Sequence, residues 1–399
     1  LITNFFTLNS ALLSFAISFY VFVMLALDKF QPINYSIFQW TNTPDIKVGF
    51  TLDGLSGIML LLVTGLSFII QLFSTSYMET DEKHNNYFVY FNFFVFSMLL
   101  LVMSSNFLVM FFGWELVGLS SYLLISFWSK KPAAAKAGNK AFILNRVGDF
   151  GFLIGLMIIL NTFNTFDFYT VLKSASDVPE NTITLITLFL LLGAFGKSAQ
   201  FPLFSWLPDA MEGPTPASAL IHAATMVTAG VFMLVRISPI LQHSKIAGMV
   251  IISFGLLTAL LAAFSAINQY DIKKVLAYST ISQLGFMFIA IGAGAYVAAI
   301  FHLVTHAFFK ALLFLGAGSV IHAFNNEQNI NKMGGVRNKL PITYVLMLIG
   351  TLALTGFPLL SGFYSKDAII EFAYLKGSSL GYYAASIGCL LYTSDAADE

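Results

Sequence analysis

The chain has 399 residues, of which 57% are hydrophobic and only 10% are charged, and its formal net charge is zero. Soluble domains have about 25% charged residues, so this composition excludes an ordinary soluble protein and predicts a membrane protein. The zero net charge argues against a nucleic-acid partner. The single cysteine, Cys389, excludes an intrachain disulfide and a thiolate-bound iron–sulfur or zinc site.

Apolar segments recur along almost the whole sequence. A membrane-spanning helix needs roughly 20 mostly apolar residues. On this criterion the sequence predicts an all-α polytopic membrane protein with about 12 transmembrane helices. The predicted spans are residues 8–27, 52–73, 87–103, 107–128, 141–160, 183–201, 217–237, 246–267, 275–291, 297–321, 342–360 and 380–391. The abruptly polar segment 389–399 resembles translated sequencing-adapter read-through, and we expect it to be artefactual.

Two of the predicted spans are interrupted by proline with glycine nearby. Both interruptions read Phe-Pro-Leu-x-Ser, at residues 201–205 and 357–361. Proline lacks a backbone donor and clashes with the preceding turn, so each helix is predicted to kink or break there. The freed backbone groups are tolerated in a membrane only inside protein or beside water.

The two breaks occupy corresponding places in the sequence. After N-terminal membrane helices in residues 1–86, five spans fill residues 87–237 and five more fill residues 246–391, and each break falls in the fourth span. An odd number of spans per unit inverts the second unit relative to the first. Inverted repeats with broken helices are typical of transporters. The alternative interpretation is chance similarity of a short motif.

Basic residues are distributed unequally between the predicted loops. Assigning the loops alternately to two sides places the larger set on one side: Lys83, Lys130, Lys131, Lys136, Lys140, Lys273, Lys274, Lys332, Arg337 and Lys339. The other side has Lys29, Lys47, Lys173, Arg236, Lys245 and Lys376. The positive-inside rule predicts that the first side faces the cytoplasm or the mitochondrial matrix. The expected location is a bacterial plasma membrane or a mitochondrial inner membrane.

Three ionisable residues stand out in the first predicted unit, because a charge at the bilayer centre costs at least about 2.5–3.5 kcal/mol. Glu115 lies deep in an apolar run, either as a protonated carboxyl or as a functional acid. Asp149 follows Arg146 by three residues and could close an intrahelical ion pair instead of acting in function. Lys197 lies at the first break. The string before it resembles a phosphate-binding loop, but Leu191 replaces the required first glycine.

The second unit contributes a stripe of polar side chains. His302, His306 and Lys310 are spaced by four residues and share one face of a helix. The stripe lacks the glutamate of the His-Glu-x-x-His zinc motif. Lys366, after the second break, could cap the following helix or act in function. His222, in the first unit, is equally compatible with packing and with function.

These ionisable residues predict a lateral hydrophilic path near the membrane midplane and not a single substrate pocket. We hypothesise that Lys197 pairs with Glu115, holds a proton while the pair is closed and releases it when the pair opens. Histidines titrate near physiological pH and can relay protons. The predicted function is proton translocation driven by a shift in electrostatic pairing.

Six strings in the sequence resemble one known family. They are GWELVGLSSYLLI (113–125), NRVGD (145–149), GKSAQ (196–200), GPTPASALIHAATMV (213–227), DIKKVLAYST (271–280) and FHLVTHAFFKAL (301–312). Together they resemble chain 5 of respiratory NADH:quinone oxidoreductase (complex I) over about residues 53–367. The resemblance implies an antiporter-like fold and the role of a proton-translocating membrane subunit of that enzyme. The subunit itself is expected to perform no redox chemistry.

The resemblance also implies roles for individual residues. Glu115 and Lys197 match the family's proton-transfer pair, and Asp149 matches a functionally sensitive aspartate. The positions expected to relay protons are His222, His302, His306 and Lys310, and Lys366 is expected on the exit side. Relative to the family, the sequence is expected to lack a first spanning helix, the last spans and a long lateral helix.

The implied partners are the lipid bilayer and the other membrane subunits of the complex, especially neighbouring antiporter-like subunits. NADH, quinone, FMN and iron–sulfur clusters are expected in other subunits, with no cofactor or metal in this chain. Two alternatives remain at this point: a subunit of an Mrp-type cation/proton antiporter, and a structural membrane scaffold without a transport role.

Overall fold

The computed structural model describes residues 2–42, 45–376 and 378–398. The elements in this part of the chain are α1 (Ile2–Ala26), β1 (Ile33–Asn42), β2 (Asp45–Leu52), α2 (Gly54–Tyr77), α3 (His84–Val102), α4 (Phe107–Ile125), α5 (Pro132–Phe163), α6 (Phe168–Lys173), α7 (Glu180–Lys197), α8 (Thr215–Ala223), α9 (Ala229–Arg236), α10 (Ser238–Leu241), α11 (Lys245–Ile267), α12 (Ile272–Ala293), α13 (Tyr296–Ala323), α14 (Val336–Lys339), α15 (Pro341–Thr355), α16 (Ser361–Leu375) and α17 (Ser379–Asp398).

The prediction of a helical, polytopic membrane protein is confirmed. Among the described residues, ten segments are long and apolar enough to cross a membrane: α1 to α5, α7, the combined segment Thr215–Arg236, α11, α12 and α13. The predicted span at 342–360 corresponds to the shorter helix α15, and the predicted span at 380–391 lies within α17. Residues 389–398 continue α17 as helix, and the artefactual origin of that segment stays a prediction.

The membrane segments after α2 can be divided into two successive series of five members each. The first series is α3, α4, α5, α7 and Thr215–Arg236, and the second is α11, α12, α13, α15 with α16, and α17. The break follows α7 in the first series and separates α15 from α16 in the second, so it falls at the fourth position of both. The domain boundaries inferred from the sequence stay a prediction. Residues 215–234 are all buried, so this segment lies in the interior of the molecule.

The first break is stabilised by side chains that pair the backbone groups freed at the end of α7. Trp206 Nε1 donates to the Gly196 carbonyl at 3.0 Å, and Gln200 Nε2 donates to the Ser198 carbonyl at 2.9 Å. The Phe201 amide donates to Thr258 Oγ1 of α11 at 3.0 Å. Buried backbone groups require such partners, so the interruption can persist inside the membrane.

The second break has a different local structure. Gly356 adopts a left-handed φ of 76° after the last turn of α15. The Phe357 amide donates to the Leu352 carbonyl at 2.9 Å, as in a glycine C-cap. A Cβ at Gly362 would collide with the Ala353 carbonyl, so α16 can begin this close to α15 only with glycine there.

A β-hairpin between α1 and α2 is a feature that the search for apolar spans did not predict. Strands β1 and β2 pair antiparallel from Ile33 opposite Leu52 onward. Their sequences are rich in β-branched and aromatic residues, which favour strands. Asn106 Nδ2, at the start of α4, donates to the Lys47 carbonyl at 2.6 Å and fixes the hairpin against the membrane helices.

Hydrogen bonds connect loops that the charge pattern placed on the same side. Trp128 Nε1 after α4 donates to Asp81 Oδ2 before α3 at 2.9 Å. At the opposite end, Arg236 of α9 forms a bidentate ion pair with Asp53, the N-cap of α2. The assignment of the first side to the cytoplasm or matrix stays a prediction.

Candidate functional site

The first group of ionisable residues lies between α4, α5 and α7. Lys197, at the last position of α7, is fully buried, and its Nζ lies 3.5 Å from Asp149 Oδ2 of α5. The other oxygen of Asp149 accepts a 2.7 Å hydrogen bond from Trp114 Nε1 of α4. A Cβ at Gly118 would lie 2.7 Å from Lys197 Nζ, so this glycine makes room for the ammonium group. Asp149 is therefore held between a cation and an indole donor.

Glu115 has a different partner from the one hypothesised from the sequence. It forms an ion pair with Arg146 of α5, while Lys197 is paired with Asp149. The hypothesised Glu115–Lys197 pair is wrong for this structure, and so is the alternative of an intrahelical Arg146–Asp149 pair. The physical reason is the rotation of α5: Arg146 meets Glu115 of α4, whereas Asp149 lies between Trp114 of α4 and Lys197 of α7. Glu115 still interacts electrostatically with Lys197 and Asp149.

An interruption that the sequence analysis missed lies beside His222. Helix α8 ends at Ala223, Thr225 has φ −125° and ψ −103°, and a 3-10 turn, Met226–Thr228, precedes α9. Thr225 Oγ1 donates to the Leu220 carbonyl at 2.6 Å and stabilises the end of α8. The only local sequence signal is a threonine that can bond back to the preceding turn, and this signal is weak.

His222 is fully buried at the end of α8, with its ring centroid 4.9 Å from that of Phe314. Among the described residues, neither of its ring nitrogens has a hydrogen-bond partner. The His306 ring approaches the Ala223 carbonyl, but neither His306 nitrogen meets hydrogen-bond geometry within the described chain. Buried polar atoms of this kind are positions where ordered water fits.

The polar stripe of α13 contacts α12 and α16. Lys310 Nζ donates to Ser279 Oγ at 2.7 Å and to the Leu276 carbonyl at 3.5 Å. His302 Nδ1 is hydrogen-bonded to Ser365 Oγ at 2.9 Å, and its Nε2 to Gln283 Oε1 at 3.1 Å. Both nitrogens of His302 are therefore engaged by protein groups, which disfavours a zinc site shared with His306.

One face of α12 runs along this second group. Leu276, Ser279, Gln283 and Phe286 recur every three or four residues and so lie on one side of the helix. Leu276 and Ser279 contact Lys310, Gln283 contacts His302, and the Lys366 ammonium lies 5.7 Å from the centre of the Phe286 ring. The contacts span about 15 Å along the helix axis at 1.5 Å per residue. The sequence analysis missed Ser279 and Gln283, although two polar residues at i and i+4 in an apolar helix were a usable signal.

The structure thus gathers the eight site residues predicted from the sequence into two groups. Glu115, Asp149 and Lys197 form the first, and His222, His302, His306, Lys310 and Lys366 form the second. All of the second group and Lys197 have no exposed surface. Within the second group, His306 interacts electrostatically with Lys310, His302 and His222, and His302 with Lys366. The roles of these residues stay predictions.

Lysines, histidines and carboxylates are costly inside a membrane, and their retention beside interrupted helices is typical of ion-translocating membrane proteins. Comparison with known families specifies this class. The family model described as NADH:quinone oxidoreductase/Mrp antiporter, transmembrane, matches residues 104–391, and one described as NADH-ubiquinone oxidoreductase (complex I), chain 5 N-terminus, matches residues 39–88. The chain belongs to this family of antiporter-like membrane subunits.

Curated relatives carry the same description. The chain is 52% identical over 362 residues to NADH-ubiquinone oxidoreductase chain 5 of Arabidopsis thaliana, covering 88% of this chain and 54% of the relative. It is 51% identical over 357 residues to NADH-quinone oxidoreductase subunit L of Neisseria meningitidis serogroup A, covering 85% of this chain and 53% of the relative. The chain therefore spans about half the length of these relatives.

Two solved structures share the fold. The Mrp complex from Dietzia sp. DQ12-45-1b has a chain with a TM-score of 0.86 and 28% identity, matched over 99% of this chain and 46% of that one. The membrane-bound sulfane sulfur reductase, an archaeal respiratory membrane complex, has a chain with a TM-score of 0.87 and 25% identity, matched over 99% of this chain and 80% of that one.

Proposed function

We propose that this chain is a proton-translocating membrane subunit of an NADH:quinone oxidoreductase. The observation that carries the proposal is the row of fully buried ionisable side chains, from Lys197 to Lys366, between interrupted membrane helices. Keeping lysines and histidines out of water costs several kcal/mol for each charged group, and a structural role alone does not require it. The family relationship supports the assignment of the subunit to NADH:quinone oxidoreductase.

In this proposal the pairing of Lys197 is the switch. The Asp149 carboxylate, 3.5 Å away, stabilises the protonated ammonium. Glu115 lies within electrostatic range and is paired with Arg146 in the present arrangement. When Lys197 moves away from Asp149, its Nζ loses that attraction and gives up its proton. When the pair closes again, Nζ takes a proton back.

The second group then relays the proton. The nitrogens of His222 and His306 accept or donate through hydrogen-bonded water, since they are buried and have no hydrogen-bond partner among the described residues. Lys310 takes the proton next, held by Ser279. His302, between Gln283 and Ser365, leads to Lys366 beside the second break, from which the proton leaves on the exit side.

Other subunits are assigned the redox chemistry in this proposal. NADH, FMN, the iron–sulfur clusters and quinone bind there, and this chain takes up the resulting conformational or electrostatic signal. Its partners are the neighbouring antiporter-like membrane subunits and the surrounding lipid bilayer. The membrane is the bacterial plasma membrane or the mitochondrial inner membrane.

The test is neutralisation of the buried lysines in the assembled membrane complex. Lys197→Met and Lys310→Met should each lower NADH-driven proton pumping at least ten-fold, with the complex still assembled. Lys140→Met is the matched control, because Lys140 is half-exposed and paired with Asp209 at the surface. Pumping is followed by the quenching of a pH-sensitive dye in sealed vesicles. Near-normal pumping in both buried-lysine variants would refute the proposal and favour a scaffold role.

A second candidate function is that of a subunit of an Mrp-type cation/proton antiporter. The likeness of the fold to a chain of the Mrp complex supports it. The two functions differ in the energy source. An antiporter exchanges Na⁺ or another cation for protons without NADH, whereas the oxidoreductase subunit translocates protons only while NADH is oxidised. Imposing a Na⁺ gradient on vesicles without NADH and recording the internal pH separates them. Proton movement driven by the Na⁺ gradient alone, as large as that driven by NADH oxidation, would favour the antiporter.

A further inference from the structure

One hydrogen bond connects the first break with the interruption after His222. Ser198, the residue after Lys197, is fully buried, and its Oγ donates to the Val227 carbonyl at 2.7 Å. Val227 lies in the 3-10 turn that follows the end of α8. The bond therefore joins the helix end that carries Lys197 to the interrupted helix that carries His222.

Gly230 makes room for this bond. A Cβ at Gly230, in the first turn of α9, would collide with Ser198 Oγ and would lie 3.0 Å from the Ala194 carbonyl. The absence of a side chain at Gly230 lets the end of α7 approach α9 closely enough for the hydroxyl to reach Val227. The contact requires a hydroxyl at position 198 and the absence of a side chain at position 230.

Several buried serines of the chain bond within their own helix instead, whereas Ser279 and Ser365 also bond to a side chain of another helix. Ser67, Ser97 and Ser121 each donate to a carbonyl three or four residues earlier in their own helix. Such bonds do not transmit a displacement from one element to another. The Ser198 hydroxyl instead bonds to a residue 29 positions away in the sequence.

We propose that Ser198 is a positioning residue that couples the Lys197 switch to the His222 relay. Because Ser198 is covalently next to Lys197, a shift of the end of α7 that carries Lys197 away from Asp149 also displaces the Ser198 hydroxyl. In a buried, low-dielectric site the Val227 carbonyl cannot exchange this partner for bulk water, so it follows. The 3-10 turn lies outside α8, which ends at Ala223, so the turn can shift without breaking the backbone hydrogen bonds within α8. The inference rests on the proton-translocation function proposed above.

The coupling is tested with Ser198→Ala in the assembled complex, with Ser97→Ala as the matched control. Both changes remove a fully buried hydroxyl bonded to a carbonyl at 2.7 Å. Ser198→Ala should lower NADH-driven proton pumping about five-fold with unchanged assembly, whereas Ser97→Ala should leave pumping within two-fold. Ser198→Thr, which retains a hydroxyl, should restore at least half of the pumping.

A double-mutant cycle separates coupling from a merely structural effect. If Ser198 acts through His222, then Ser198→Ala should cause no further loss in a His222→Gln background, while Ser97→Ala remains independent of that background. Multiplicative losses for the Ser198 and His222 changes, or full pumping in Ser198→Ala, would overturn the inference. The Lys197→Met variant distinguishes failure of this inference from failure of the proposed function. If Lys197→Met also pumps normally, the proposed function itself is wrong.

Discussion

Replacing Asp149 with asparagine removes the negative charge 3.5 Å from the Lys197 ammonium and keeps the size of the side chain. At an effective dielectric constant of about 20, two unit charges at that distance attract each other by about 5 kcal/mol. Removing one partner of a buried ion pair costs about 3–5 kcal/mol, because the other charge remains buried. Both side chains are almost completely buried, at 0% and 4% exposure, so solvent screening does not reduce the effect substantially.

The expected result is a strong loss of proton translocation. Raising a rate-limiting barrier by about 1.4 kcal/mol slows a step ten-fold. A ten-fold loss therefore needs only about one third of the lost attraction to appear as a higher barrier to proton transfer. We expect Asp149→Asn to lower NADH-driven pumping at least ten-fold in vesicles that contain normal amounts of the assembled complex. The assay combines dye quenching for pumping, absorbance for NADH oxidation and immunoblotting for assembly.

Asp209→Asn is the matched control for this prediction. Asp209 pairs with Lys140 at 2.6 Å, but the two side chains are 42% and 41% exposed. Surface pairs of this kind contribute about 0–1 kcal/mol, so pumping should stay within two-fold of the unmodified protein. Equal pumping by Asp149→Asn and Asp209→Asn would refute the reasoning that burial makes the Lys197 pair important.

Two further predictions concern the backbone and the pH dependence of stability. Gly362→Ala places a Cβ against the Ala353 carbonyl, so immunoblotting should show at least five-fold less assembled protein, whereas Gly334→Ala, whose Cβ meets open space, should have no effect. Burial raises the pKa of Asp53, but the hydrogen bond and charge of Arg236 outweigh burial and hold that pKa below its ordinary value of 3.8. The pair therefore stabilises the fold fully above pH 3.8 and is lost as the pH falls through the lowered value, so Tm should drop there. Asp53→Asn, which keeps a helix N-cap, should lack this drop, and an identical acid-induced drop in both proteins would contradict the prediction.

Several features of the fold could be predicted from the sequence because their causes are local. Span lengths follow from runs of apolar residues, and the two breaks follow from the missing donors of Pro202 and Pro358. The hairpin was missed because its strands, of 10 and 8 residues, are too short for an apolar run of membrane length. The interruption at Thr225 was missed because neither proline nor glycine marks it.

The candidate site was only partly predictable for a related reason. A buried charge is recognisable in the sequence by its cost, so Glu115, Lys197 and Lys310 stood out without coordinates. Their partners depend on how neighbouring helices are rotated about their axes, and the sequence of one helix does not contain this information. Ser279, on the face of α12 that meets Lys310, is an example.

The sequence by itself determined that the chain crosses a membrane many times, that two of its helices are broken, and that ionisable side chains lie within the apolar spans. These properties depend on composition and on covalent features of proline, which act within one segment. Only the tertiary structure decided that Lys197 pairs with Asp149 while Glu115 pairs with Arg146. The reason is that α5 presents Arg146 to Glu115 of α4 and places Asp149 between α4 and α7, and this arrangement is set by the packing of the three helices together.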